Sequence, residues 1–204
     1  MDGEQLDKPL NARSEQLDRT LAEQRTRILN ERFDTVAEHL GSDKPPAVRL
    51  AGVYAMAGLA DDWPDHRQMC VDVLCAYLRM PYEPEPGDDA PVEKRLAFRA
   101  SRQVRHTVIR VITAHLNGTA PVSWRGLNFD FAGAVFDGGD FNGARFSGGT
   151  VNFAGAEFSG GTVDFSRVAS WTQPPDFGSG FDMSHPPAGV MLPTATSPSP
   201  DLEH

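Results

Sequence analysis

Residues 131–163 read FAGAV-FDGGD-FNGAR-FSGGT-VN-FAGAE-FSGGT-V. The phrase Phe-x-Gly-(Ala/Gly)-x starts at Phe131, Phe136, Phe141, Phe146, Phe153 and Phe158. A five-residue period matches neither the turn of a helix nor the alternation of a strand. It marks a stacked repeat, in which one unit cannot bury its apolar side chain alone and must pack on a neighbour. Two residues ahead of a Phe stands a small residue: Ala134, Gly139, Ala144 or Ala156. Both can point inward only if one is small, because interiors pack at crystal-like density. The Gly two places after each Phe (133, 138, 143, 148, 155 and 160) suits a tight turn. The remaining position, filled by Asp140, Arg145, Thr150 and Glu157, is expected to face solvent.

On these residues the segment resembles the pentapeptide-repeat family. The resemblance covers 124–168 and implies a right-handed four-sided β-helix with Phe131, Phe136, Phe141, Phe146, Phe153 and Phe158 as its core. The family more often carries Leu at the central position. Phe here changes packing and not architecture. Val151-Asn152-Phe153 slips the register by two residues, and Val163-Asp164-Phe165 repeats the slip, so a corner or bulge is expected at each. At about twenty residues per turn, the segment makes a little over two turns.

The formal net charge is -9. Residues 122–168 carry only 5 acids against 3 bases, so the repeat itself is mildly acidic, and no broad basic field for nucleic acid appears. Cys70 and Cys75 lie five apart in an apolar run without a His/Cys cluster. That spacing argues against a metal pair and for reduced, buried thiols. No signal peptide or membrane-length apolar stretch is present, so a cytoplasmic location is expected.

The first half reads as helical. Residues 1–13 are an expected unordered start, and 14–121 the helical domain. Leu17, Leu21, Ile28, Phe33, Val36 and Leu40 recur mostly at three, four and seven, so a helix spans 14–40 and Gly41 stops it. The stripe falls short of a sustained heptad. Packing on the following helices is favoured, and a coiled-coil homodimer is the alternative. Pro45-Pro46 opens a helix over 45–60, a second runs over 64–80, and a third over 92–116. Pro46-Ala47-Val48-Arg49-Leu50-Ala51 resembles a HEAT-type hairpin, with a loose echo at Val104-Arg105. The segment ERFDTVAEHLGSDKPPAVRLAGVYAMAGLADDW, with CVDVLCAYLRMPY after it, resembles actinobacterial pentapeptide-repeat proteins whose relatives often carry preceding membrane helices. Residues 80–91 are a Pro- and acid-rich surface loop. Residues 122–168 are the β-helix and 169–201 a Pro/Gly/Ser-rich tail expected to be mostly unordered. Phe177 and Phe181 are candidates to fold back over its open end, since a bare sheet edge invites aggregation. Residues 202–204 look like a tag remnant. The expected fold class is α + β, an N-terminal α-helical, HEAT-like domain followed by a short right-handed quadrilateral pentapeptide-repeat β-helix.

Arg95, Arg99, Arg102, His106 and Arg110 fall on one helical face at spacings of four, three, four and four. Such a stripe can bind phosphate, a nucleic-acid backbone or an acidic partner. Residues 46–121 carry 9 acids and 9 bases. That balance favours a solvated face, paired with Glu83, Glu85, Asp88 and Asp89. Asp61-Asp62 sits in an interhelical turn, where capping is favoured over catalysis. No nucleophile, metal or phosphate-loop arrangement is present, so no enzyme, catalytic residue, metal site or cofactor is expected. The leading reading is a non-enzymatic scaffold or adaptor for an unidentified protein partner, with no direct nucleic-acid binding. The family suggests a second reading, a DNA-mimicking binder of a type II topoisomerase. A third is the cytoplasmic part of a membrane-associated protein, with helix 14–40 as its stalk.

Overall fold

A computed structural model describes residues 3–41, 43–171 and 173–193. Four helices come first: α1 (Gly3–His39), α2 (Pro46–Asp62), α3 (Arg67–Arg79) and α4 (Val92–Leu116). A 3-10 turn, Pro64–His66, joins α2 to α3. Pro46 sits in the first turn of α2, where its missing N–H costs nothing. The expected unordered start does not separate from the first helix, because α1 already begins at Gly3. Residues 202–204 lie outside the described residues.

Among the described residues seven two-residue strands follow: β1 (Phe129–Asp130), β2 (Val135–Phe136), β3 (Gly139–Asp140), β4 (Val151–Asn152), β5 (Glu157–Phe158), β6 (Val163–Asp164) and β7 (Val190–Met191). All pair in parallel with the turn above or below. Phe129 stands opposite Val151, Val135 opposite Glu157, Gly139 opposite Val163, and Val163 opposite Val190. The chain therefore returns over itself in three stacked coils.

Over 173–193 a third coil stands where an unordered tail was expected, with Phe177 over Phe153 at the open end as anticipated; residues 194–201 lie outside the described residues. Asp176 N donates to the Val151 carbonyl, Phe153 N to the Asp176 carbonyl, and Phe165 N to the Met191 carbonyl. Phe177 and Val190 are buried. The slips are corrected too. Val151-Asn152 and Val163-Asp164 are regular strands, and the extra residues are taken up ahead of them, in bends at Gly148-Gly149 and Gly160-Gly161. A Cβ on Gly149 would lie 2.0 Å from the Leu127 carbonyl oxygen, and one on Gly161 2.2 Å from that of Asp137. Only glycine lets the coil cross its neighbour that closely.

Each of the six glycines two places after a Phe has a positive φ. The aromatic rings stack in columns between coils: Phe131 on Phe153 at 4.9 Å, Phe153 on Phe177 at 5.2 Å, Phe141 on Phe165 at 4.7 Å, and Phe136 on Phe158 at 5.7 Å. Phe131, Phe136, Phe141, Phe146 and Phe153 are buried, whereas Phe158 is half-buried beside Phe181. Asp140, Thr150 and Glu157 face solvent as expected, and Arg145 is half-buried. Asp130, Asp140, Asn152, Asp164 and Asp176 each accept, through Oδ1, the backbone N–H two residues on, closing the turn after them. One buried cluster runs without a break from Leu29 on α1 to Val190 in the third coil.

Candidate functional site

The first coil has no coil before it, so its outer row of backbone groups needs partners. The helices supply them. Gln68 on α3 behaves like a strand residue: its Nε2 donates to the Asn128 carbonyl at 2.8 Å and its Oε1 accepts the Asn128 N–H at 2.9 Å. Arg79 Nη1 donates to the Asp130 carbonyl at 2.7 Å and pairs with the Asp130 carboxylate. Arg105 Nη2 donates to the Val135 carbonyl at 2.6 Å, and Arg102 Nη2 to the Asp137 carbonyl at 2.9 Å. Thr113 Oγ1 donates to the Asp140 carbonyl at 3.0 Å, and the Leu116 carbonyl accepts Arg145 N–H at 3.0 Å. Side chains from α3 and α4 thus do for the first coil what each coil does for the next.

The centre of this junction is Asp137, buried in the turn after β2. His106 Nε2 lies 2.9 Å from Oδ1, and the Tyr82 hydroxyl donates to Oδ2 at 2.6 Å. Arg102 Nε stands 3.1 Å from Oδ2, an ion pair too bent to be a hydrogen bond. Burial pushes the Asp137 carboxyl up. The hydrogen bonds from His106 and Tyr82, and the charges of His106 and Arg102, outweigh it and hold the group below the ordinary carboxylate range. Burial, then the bond to Asp137, pushes the Tyr82 phenol up. Both carboxylate oxygens are occupied, so the constellation ties two regions together and offers no free base.

Arg105, next to His106, is buried, and its guanidinium lies 4.2 Å from the centre of the Tyr82 ring. It also donates to the carbonyls of Leu78, at 2.9 Å, and Tyr77, at 3.5 Å. Burial lowers its pKa. The echo of Val48-Arg49 at Val104-Arg105 was the one sign of it in the sequence. Arg49 Nη1 likewise donates to Tyr77, through the hydroxyl, at 3.1 Å. The close approach of α4 depends on Gly138-Gly139. A Cβ on Gly138 would lie 3.2 Å from His106 Cε1, and one on Gly139 3.2 Å from Ile109 Cδ1.

The five-residue stripe therefore divides. Arg102 and His106 face the repeat, and Arg110 Nη2 reaches Thr107 Oγ1 at 3.0 Å and the Tyr54 hydroxyl at 3.3 Å. Arg99 is exposed and Arg95 half-exposed, and among the described residues neither side chain makes an ion pair or hydrogen bond. The acidic loop does not pair with the stripe as expected; Glu83 instead faces Lys94 at 3.7 Å. Nor does Asp61-Asp62 cap the next helix. Asp61 Oδ1 accepts Trp124 Nε1–H at 2.8 Å and Oδ2 lies 3.2 Å from His115 Nε2, while Asp62 pairs with Arg32 at 2.9 Å. His115 stacks on Trp124 with ring centres 3.9 Å apart. Cys70 and Cys75 are free and buried, and burial pushes their thiols up to about 11 and about 12.

Among the described residues no His/Cys/Asp/Glu group is arranged to hold a metal, and no helix is long and apolar enough to cross a membrane. Residues 127–169 match the family model described as pentapeptide repeats (9 copies). No curated protein and no solved structure matches the chain. The chain carries pentapeptide repeats behind an N-terminal helical region.

Proposed function

We propose that the protein is a non-enzymatic scaffold that presents a rigid surface to an acidic segment of a protein partner in the cytoplasm. In this reading the stacked coils are a right-handed quadrilateral β-helix and the helical region is HEAT-like. The parallel pairing of successive coils supports the first, and the packing of α2 on α3 across the short Pro64–His66 turn is compatible with the second. Buried, unbridged cysteines suit a reducing compartment.

One observation carries the choice of surface. Arg102, His106 and Arg110 are engaged within the fold, whereas Arg95 and Arg99 project from the first turns of α4 beside the exposed Val92 and Leu96. Unpaired guanidinium groups next to apolar side chains suit a partner that brings both carboxylates and an apolar anchor. The topoisomerase reading is weaker, because Asp130, Asp140 and Asp164 each turn a carboxylate oxygen onto a backbone N–H of their own coil.

The test is affinity capture from lysate with the wild type and an Arg95→Glu/Arg99→Glu variant of matching melting temperature. A partner held by the wild type and lost by the variant is the expected result. Equal capture by both overturns the surface, and capture of nothing overturns the scaffold. Recovery of topoisomerase subunits would favour the DNA mimic.

A further inference from the structure

Every side chain of α1 from 11 to 28 is exposed, and among the described side chains the first one packed in the core is Leu29. Behind Leu29, among the described residues, α1 is tied to the body only by Arg25 Nη2 on the Asp62 carbonyl, at 3.3 Å. Most helical stability in proteins comes from packing an apolar face, and the exposed part of α1 packs none of its own. Yet Leu17, Leu21 and Ile28 stand out from it with 60%, 54% and 56% of their surface exposed. Their spacing of four and seven keeps them within about 40° of one line, at about 100° per residue. Leu29, Val36 and Leu40, which pack on the body, lie about 100° further round. The exposed stripe is therefore a second face, separate from the one that α2 covers.

We propose that this face is the seam of a parallel, in-register two-stranded coiled coil between two copies of this chain. Leu17 then takes position d of the heptad, and Leu21 and Ile28 take position a, with Ser14 and Gln24 at the neighbouring seam positions. Leu17 at d with the β-branched Ile28 at a is the combination that favours two strands, and Leu21 fills the other apolar a position. Charge selects the parallel arrangement. It sets Arg13 of one copy against Asp18 of the other, twice. It also brings Arg27 near Arg32 of the second copy, but both are already neutralised, Arg27 by Glu31 at 2.9 Å and Arg32 by Asp62 at 2.9 Å. The antiparallel arrangement would set Asp18 against Asp18 and face Arg13 with the neutralised Arg27 in place of an acid. The seam is short and holds a Gln, so the dimer is weak and dissociates on dilution. Two copies joined this way carry their coils and their Arg95/Arg99 faces as a pair, which raises avidity for any repeated partner.

Sedimentation equilibrium of the full chain over about a hundredfold concentration range tests this. The expected result is twice the single-chain mass at the top of the range, falling on dilution. Leu17→Glu/Leu21→Glu should be monomeric throughout, with the melting transition of the body unchanged because neither side chain touches it. Ser14→Cys should form an inter-chain disulfide on oxidation, since Cys70 and Cys75 are buried and position 14 faces itself only in the parallel register. A wild type monomeric over the whole range overturns the proposal, as does a dimer that survives the double Glu substitution. A dimer that Ser14→Cys fails to cross-link overturns the parallel register.

Discussion

Arg105 stands where the backbone of a preceding coil would stand beneath Val135. From the middle of α4 it reaches the Val135 carbonyl at 2.6 Å and holds the end of α3 by the Leu78 carbonyl at 2.9 Å. One guanidinium thus serves both sides of the joint between helices and repeats. Five donors in a fixed planar fork make this possible, and no other side chain has them.

Arg105→Met keeps much of the apolar stem but leaves these buried carbonyls without donors. We expect a loss of about 3 kcal/mol. Urea unfolding checks it as a lower midpoint with an unchanged slope. Arg105→Lys should recover only part of the loss, because an ammonium cannot span the carbonyls of both regions.

Acid should loosen the joint through Asp137. Its carboxyl is held below the ordinary 3.8 when folded. The stability it contributes is therefore fully present above 3.8 and is lost as pH falls through the lower folded value. Asp164 is shifted the same way and adds to the slope: burial raises it, and the bonds from Ser166 and Asn142 and the charge of Arg167 outweigh that. Melting temperature against pH should fall on the acid side for the wild type. Asp137→Asn should be less stable at neutral pH and show a shallower acid fall. An equal slope in both proteins would remove Asp137 from the account.

Two glycine substitutions should act in opposite directions. Gly149→Ala drives a methyl into the Leu127 carbonyl, 2.0 Å away, and should cost about 3 kcal/mol. Gly58→Ala lies in an exposed part of α2 with no heavy atom within 4 Å of the added carbon. It should gain about 0.5–1 kcal/mol from helix propensity. Thermal denaturation of the two variants beside the wild type decides both signs.

Phe153 is the hub of the repeat core, with the rings of Phe131, Phe136, Phe141, Phe158, Phe165 and Phe177 around it. Phe153→Ala should cost about 3–5 kcal/mol. Phe158→Ala, at the half-buried rim, should cost about 2 kcal/mol. Equal losses by chemical denaturation would refute this ranking of the columns.

The period of five was enough to place a stacked repeat over 124–168, where the family model matches 127–169, to single out the inward Phe residues and to put glycine where φ turns positive. Helix periodicity was enough to mark four helices, three of them close to their limits, while α1 begins at Gly3 instead of at 14. These are local patterns, repeated in the order of the chain, and each states its own need for burial or for a turn. Apart from Phe177 and Phe181, read from the sequence as a cover for the open end, the partners far along the chain lay beyond the sequence. The third coil has no five-residue phrase, so only its pairing with β6 and the Val151 carbonyl shows that residues 173–193 continue the stack. The basic stripe reads as one face of a helix, but a helical wheel does not say what lies opposite. Tertiary packing placed Asp137 against Arg102 and His106 and left Arg99 exposed and Arg95 half-exposed, without a side-chain partner among the described residues. It also buried Arg105, a residue type that sequence reasoning assigns to the surface, because the open edge of the first coil needs donors and carries no mark of that need in its own sequence.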